Sequence, residues 1–209
     1  ENGVPTYEIP FGSQKRKQSQ QEIPALKWAD LSDEKRGLTL VNAEKYGHSC
    51  VDNTLRLTLI RSSYEPDPLP EIANHEIRFA VIPHIGPLEV PAAIRAGESF
   101  NSPMAVVSAP VQKGNLPAEK SFVECLTPNV FISAVKKAED SEALVIRMFE
   151  CEGKETAAKI RITDLVKPGS KAVETDVLER PLAKNSAKMD GDVLTVTVPA
   201  FGQATVKIG

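Results

Sequence analysis

Apolar and polar residues alternate with a period of two over much of this chain. In residues 53–61, Leu55, Leu57 and Leu59 fall on one side, with Arg56 and Thr58 on the other. Ile77, Phe79 and Val81 alternate with Arg78 and Ala80, and Ala158, Ile160 and Ile162 alternate with Lys159, Arg161 and Thr163. Near the end, Leu194, Val196 and Val198 precede Ala204, Val206 and Ile208. Successive side chains of a strand point to opposite faces, so this spacing predicts half-buried antiparallel strands. Glu152-Gly153, Pro168-Gly169 and Asp190-Gly191 stand at the junctions and predict turns. Only residues 88–99 carry helical spacing. The predicted fold is all-β: an antiparallel β-sandwich in which a larger portion precedes a small C-terminal sandwich.

The boundary falls where periodicity fails, in residues 109–120, which hold Pro110, Gly114 and Pro117. Residues 1–112 and 118–209 are the two expected domains, the second of a size that suits a small terminal sandwich.

Composition adds mainly exclusions. The 209 residues are 41% hydrophobic and 25% charged, as in a soluble globular protein. A net charge of -3 favours neither nucleic acid nor an anionic membrane as a partner. The basic run Lys15-Arg16-Lys17 lies among Gln and Ser and reads as a solvated loop. No stretch approaches the ~18 apolar residues of a membrane span. The first residues, Glu1 to Pro5, have neither the charged nor the apolar part of a signal peptide, and with no initiator Met they suggest a processed chain or a fragment. Cys50, Cys125 and Cys151 are odd in number, widely spaced and form no CxxC pair. That pattern points to ordinary thiols in a reducing compartment, and so to a cytoplasmic protein.

Little chemistry emerges from spacing alone. His75 and His84 flank a predicted strand, which would hold them about 30 Å apart if straight. Together with His48 they read as structural histidines, and no metal site is expected within the chain. HExxH, phosphate-loop and GxSxG motifs are missing from the sequence. Asp and Glu number 28, yet spacing singles out no pair able to flank a glycosidic bond. No catalytic residue is assigned.

Several ordered segments carry a resemblance. Tyr7 to Gly12, Glu22 to Asp30 and Gly37 to Gly47 read YEIPFG, EIPALKWAD and GLTLVNAEKYG. They are followed by Asn53 to Ser62, by Pro66-Asp67-Pro68, and by His75-Glu76 and Pro83-His84. The second half holds Asn129-Val130, Ala134 to Asp140, Arg147, Glu150, Gly153 and the run Glu174 to Arg180, ETDVLER. In this order they resemble the C-terminal β-sandwich region of the glycoside hydrolase family 38 α-mannosidases. Departures are Ala43, where the family has Asp, and His48, where it often has an aromatic residue.

The resemblance implies a parent enzyme that hydrolyses terminal α-mannosides with retention, using an Asp nucleophile and a zinc ion. Both would belong to an N-terminal α/β catalytic domain, followed by a helical bundle, and neither motif is in this chain. Residues 1–112 would then be the end of the large sandwich domain. The chain alone is expected to be inactive, to pack against the catalytic domain and the bundle, and to lend loops to the cleft. Within residues 42–50, Asn42, Lys45, Tyr46, Gly47 and His48 are the expected contacts to a mannose-containing oligosaccharide, with Gly47 permitting an unusual backbone angle.

Two other functional classes are a structural or adhesion sandwich without ligand, against which the lack of a disulfide framework and the family motifs weigh, and a stand-alone carbohydrate-binding module. It would need an aromatic platform, and the chain has one Trp and three Tyr. Most of the seven Phe sit in strand patterns that read as core, and Trp28 is expected to pack between lobes.

Overall fold

The computed structural model describes residues 3–66, 69 and 72–209. Asp67 and Pro68 of the proline motif lie outside the described residues, as do the first two residues. The architecture is nearly all antiparallel β, with 44% strand and 6% helix. Two compact units divide at Ala105 and Val106.

The first unit contains β1 (Val4–Ile9), β2 (Gly12–Lys15), β3 (Ser19–Pro24), β4 (Trp28–Ser32), β5 (Arg36–Asn42), β6 (Gly47–Val51), β7 (Thr54–Leu57) and β8 (Phe79–Ile85), then helix α1 (Val90–Asn101). The strands build a five-stranded sheet, β2-β1-β4-β5-β8, and a three-stranded sheet, β3-β6-β7. Tyr7 stands opposite Ala29 on β1 and β4, and these two pack with Ile23, Ala25 and Leu55 between the sheets. The opposite face of β4 and β5 lies beneath α1. Strand β4 is therefore covered on both faces, and Trp28, Ala29 and Asp30 are all at 0% exposure.

Helix α1 has Pro91 in its first turn, where a missing N–H costs no hydrogen bond, and it turns Pro91, Ala93, Ile94 and Gly97 inward. Gly97 sets the closeness of approach. A β-carbon there would stand 3.0 Å from Lys27 Cβ and 3.2 Å from Trp28 Cδ1. Trp28 thus packs under the helix of its own unit, a correction to the expected position between lobes. The helix end is fastened by Asn101, whose Nδ2 donates to the Asn42 carbonyl at 3.0 Å.

The second unit contains β9 (Val123–Cys125), β10 (Val130–Lys137), β11 (Leu144–Glu150), β12 (Thr156–Ile162), β13 (Ala172–Thr175), β14 (Lys188–Asp190), β15 (Val193–Val198) and β16 (Gln203–Ile208). Sheets β10-β11-β16-β13 and β14-β15-β12-β9 face each other. The inner positions hold Ile146, Met148, Ile160, Ile162, Leu194, Val196, Val206 and Ile208, each almost completely buried. Here the period-two reading holds on β12, β15 and β16, whose expected apolar positions are all buried, although Thr205 between two of them is buried too. Gly153, Gly169 and Gly191 adopt φ of +77°, +85° and +58°, which explains a glycine at each turn.

One carboxylate holds two turns of this sandwich. Glu150, at 0% exposure, accepts from the backbone N–H groups of Glu152, Gly153, Lys154 and Phe201 and from Asn129 Nδ2. Burial pushes the Glu150 carboxyl upward, but the donors together outweigh it and hold the group below the usual range.

Three sequence expectations are corrected. Strand β7 ends at Leu57, and Leu59 and Ile60 are exposed, because β6 begins at Gly47 and offers no ladder partner beyond Thr58. Strand β8 forms, with Phe79 and Val81 on the same face as Tyr7 and Ala29, but both remain about half exposed, since β8 is the edge strand and the smaller sheet packs over β1 and β4. None of the seven phenylalanines is fully buried. The inner faces are filled instead by aliphatic residues, with Tyr7 and Trp28 in the first unit.

Candidate functional site

Residues 42–48 do not form one loop. Asn42 closes β5 in the larger sheet and Gly47 opens β6 in the smaller one, so residues 43–46 cross between the sheets. Asn42 and His48 are both at 0% exposure, whereas Tyr46 is 54% exposed and Lys45 is half-buried.

The buried members frame the crossover. Asn42 Nδ2 donates to the Leu26 carbonyl at 3.0 Å, and its Oδ1 accepts the Lys45 N–H at 2.9 Å. Lys45 is thereby fixed at the backbone, while its ammonium group has no hydrogen-bond or ion-pair partner among the described residues. The Tyr46 carbonyl accepts the Ala25 N–H at 2.9 Å, and His48 Nδ1 lies 3.3 Å from the same oxygen. That contact places the imidazole proton on Nδ1, and His48 Nε2 has no partner among the described residues. Burial lowers the His48 pKa below its ordinary value, so the ring is neutral at pH 7. Tyr7 meets it edge-on, with ring centroids 6.4 Å apart.

Gly47 has a different reason from the expected one. It is an extended strand residue with no unusual backbone angle, and a β-carbon there would displace the exposed Glu22 carboxylate, 2.4 Å away, and press on Thr58 Cβ at 3.2 Å. Of the five residues read from the sequence, the structure brings Lys45 and Tyr46 to the surface side by side. Asn42, Gly47 and His48 support them from two sheets. The arrangement can present an aromatic face, a phenol and an ammonium group from a fixed backbone, which suits a polyol ligand.

A second polar cluster lies under α1. His84 Nε2 is 2.9 Å from Asp30 Oδ2, and Thr39 Oγ1 donates to the same oxygen at 2.7 Å. Asp30 Oδ1 has no partner among the described residues. Thr39 and His84 end a pocket of about 240 Å³ whose walls include Ile82, Leu88, Ala92 and Ala96. Sequence reasoning placed His84 as structural but overlooked Asp30 and Thr39. Their signal was polar side chains at inward positions of alternating strands. Its hydrogen bonds tie β4, β5 and β8 together, so this cluster reads as a buried clamp.

Among the described residues, no group of three or more His, Cys, Asp or Glu is placed to hold a metal ion. No helix among them is long and apolar enough to cross a membrane.

Comparison with known proteins agrees with this architecture. Residues 3–69 match the family 38 glycosyl hydrolase C-terminal domain, and residues 129–202 match the C-terminal beta sandwich domain of the same family. Alpha-mannosidase 2C1 of Homo sapiens is 33% identical over 208 residues, which cover 94% of this chain and 19% of that protein. Alpha-mannosidase G of Dictyostelium discoideum is 29% identical over 182 residues, covering 83% of this chain and 17% of that protein. The chain thus spans about a fifth of the length of these relatives. A solved structure of a family 38 glycosyl hydrolase from Enterococcus faecalis superposes with a TM-score of 0.78 at 17% identity, covering 98% of this chain and 24% of that one. The chain therefore belongs to glycosyl hydrolase family 38, as part of its C-terminal region.

Proposed function

We propose that this chain is the non-catalytic C-terminal region of a retaining α-mannosidase that acts on terminal α-mannosides of oligosaccharides. The relatives named as alpha-mannosidases support the reaction class. Retention requires a nucleophile and an acid on opposite sides of the sugar, and the clustered carboxyls of this chain are held as structural clamps. The nucleophile, the acid and the zinc ion belong in this reading to the remainder of the parent, with which the chain packs. Cys50 and Cys125 carry free thiols, which suits a cytoplasmic parent.

The observation that carries a role beyond support is the crossover at residues 43–46. It exposes Tyr46 while Asn42 and His48, both fully buried, hold its ends. A binding side chain on a rigid frame loses little entropy when it meets its ligand. Tyr46 and Lys45 contact the oligosaccharide at the rim of the parent's cleft. In the full-length enzyme, Tyr46→Ala lowers kcat/KM by about tenfold, equivalent to ~1.4 kcal/mol, without changing Tm. Unchanged kinetics, or a loss matched by a lower Tm, would return the crossover to a purely structural role.

A further inference from the structure

After α1 the chain runs through residues 104–119 without a single hydrogen bond from its backbone or side chains to the rest of the described residues. Its first part is nevertheless apolar. Met104 is 91% exposed, Val106 90% and Val107 84%, and Val111 follows after Pro110. Adjacent positions point to opposite faces of an extended chain, so Val106 and Val107 make both faces apolar. A solvated linker has no use for that pattern, whereas a strand covered on both sides requires it. The residues are also β-formers: valine is stiff at χ1 and favours extended backbone.

The same shortage of sheet shows at β8. One side of this strand pairs with β5, and its other side has no partner strand among the described residues. Phe79 and Val81 on it are about half exposed. An open, apolar edge of this kind is ordinarily covered in a finished protein.

We infer that residues 104–109 are a strand of a larger sheet, completed by pairing with an edge contributed by the part of the parent chain outside residues 1–209. This rests on the reading of the chain as one region of a longer enzyme. The occupant follows from length: the matched relatives have about four fifths of their chains outside the aligned region, and both family matches are C-terminal domains. Pairing of this type is main-chain recognition, in which ladder hydrogen bonds give affinity and the alternating side chains enter the flanking layers. Pro110, which has no N–H, ends the ladder on its C-terminal side.

Hydrogen–deuterium exchange on the full-length enzyme and on the 209-residue chain tests this directly. The amides of Ala105 to Ala109 should exchange at least about 100-fold more slowly in the full-length enzyme and without protection in the shorter chain. Val107→Pro removes one N–H and should lower the Tm of the full-length enzyme by about 3 °C or more. It should leave the Tm of the shorter chain unchanged, and Val107→Ala, which keeps the N–H, should retain the protection. Unprotected amides in the full-length enzyme would overturn the inference. So would protection in the shorter chain that accompanies dimerisation and disappears with Val107→Pro, since the strand would then pair with a second copy. Hydrolysis of an α-mannoside, measured on the same full-length preparation, tests the enzymatic reading separately: protection without activity would sink that reading and leave the strand assignment standing.

Discussion

His84 reaches diagonally over Gly37 to Asp30, with Nε2 and Oδ2 2.9 Å apart. The sheet register makes this possible. Ser32, Gly37 and His84 share one cross-strand row on β4, β5 and β8, and Asp30, Thr39 and Ile82 share the next row on the same face. Only a residue without a side chain at the middle of the first row leaves the imidazole room to lean across. A buried carboxylate thereby gains a hydrogen-bonded partner from a strand 54 residues away in the chain.

Gly37→Ala should break this relationship. A β-carbon at position 37 would stand 2.4 Å from two atoms of the His84 ring and from Ser32 Cβ. Either the ring leaves Asp30 or the strands part, and the expected loss is about 1–3 kcal/mol, read as a lower urea midpoint. An unchanged midpoint would mean that the clamp contributes nothing to stability.

Acid sensitivity should trace in part to Glu150. Its folded pKa lies below the ordinary value, so in the window below pH ~4.3 the unfolded state binds more protons. The stabilisation is complete above the unfolded pKa and is lost as pH falls through the folded one. Glu150→Gln should cost about 2–3 kcal/mol at pH 7, because an amide cannot accept five donors. It should also flatten the stability profile between pH 5 and pH 3, measured by urea denaturation at each pH.

His48 behaves in the same direction at higher pH. Burial lowers its folded pKa, so the unfolded state takes up a proton first as pH falls below ~6.5. Stability should decline below that pH and cease to do so in His48→Gln. The same substitution in the full-length enzyme should move Tm more than KM, the reverse of Tyr46→Ala. A large KM effect of His48→Gln at unchanged Tm would make the buried ring a direct ligand contact.

The 209-residue chain should show no turnover of a chromogenic α-mannoside and no stoichiometric zinc. No cluster of three or more metal-ligating side chains exists among the described residues. Chelator-sensitive turnover by the purified chain would contradict the assignment of nucleophile and metal to the remainder of the parent.

In the second unit β12, β15, β16 and the glycine turns were legible, and α1 was only slightly shifted. Ala158, Ile160 and Ile162 and their partners on β15 alternate because both faces of those strands have one environment each, solvent or aliphatic core. The ordered motifs also led to the family, which local spacing could not have done. Elsewhere, alternation was present but its coverage was not. Phe79 and Val81 carry the same period as the core strands and share the face of Tyr7 and Ala29, yet stay half exposed on an edge strand, because how far the core extends depends on where the smaller sheet packs. The segment 42–50 looked like one polar loop, since a sequence does not state that β5 and β6 join different sheets. Only that crossover separates Tyr46, exposed, from Asn42 and His48, buried two to four residues away. The Asp30 clamp was hidden for the same reason. Periodicity is local and follows from backbone geometry, whereas burial and pairing are set by contacts between residues far apart in the chain, and these exist only once the sheets have assembled.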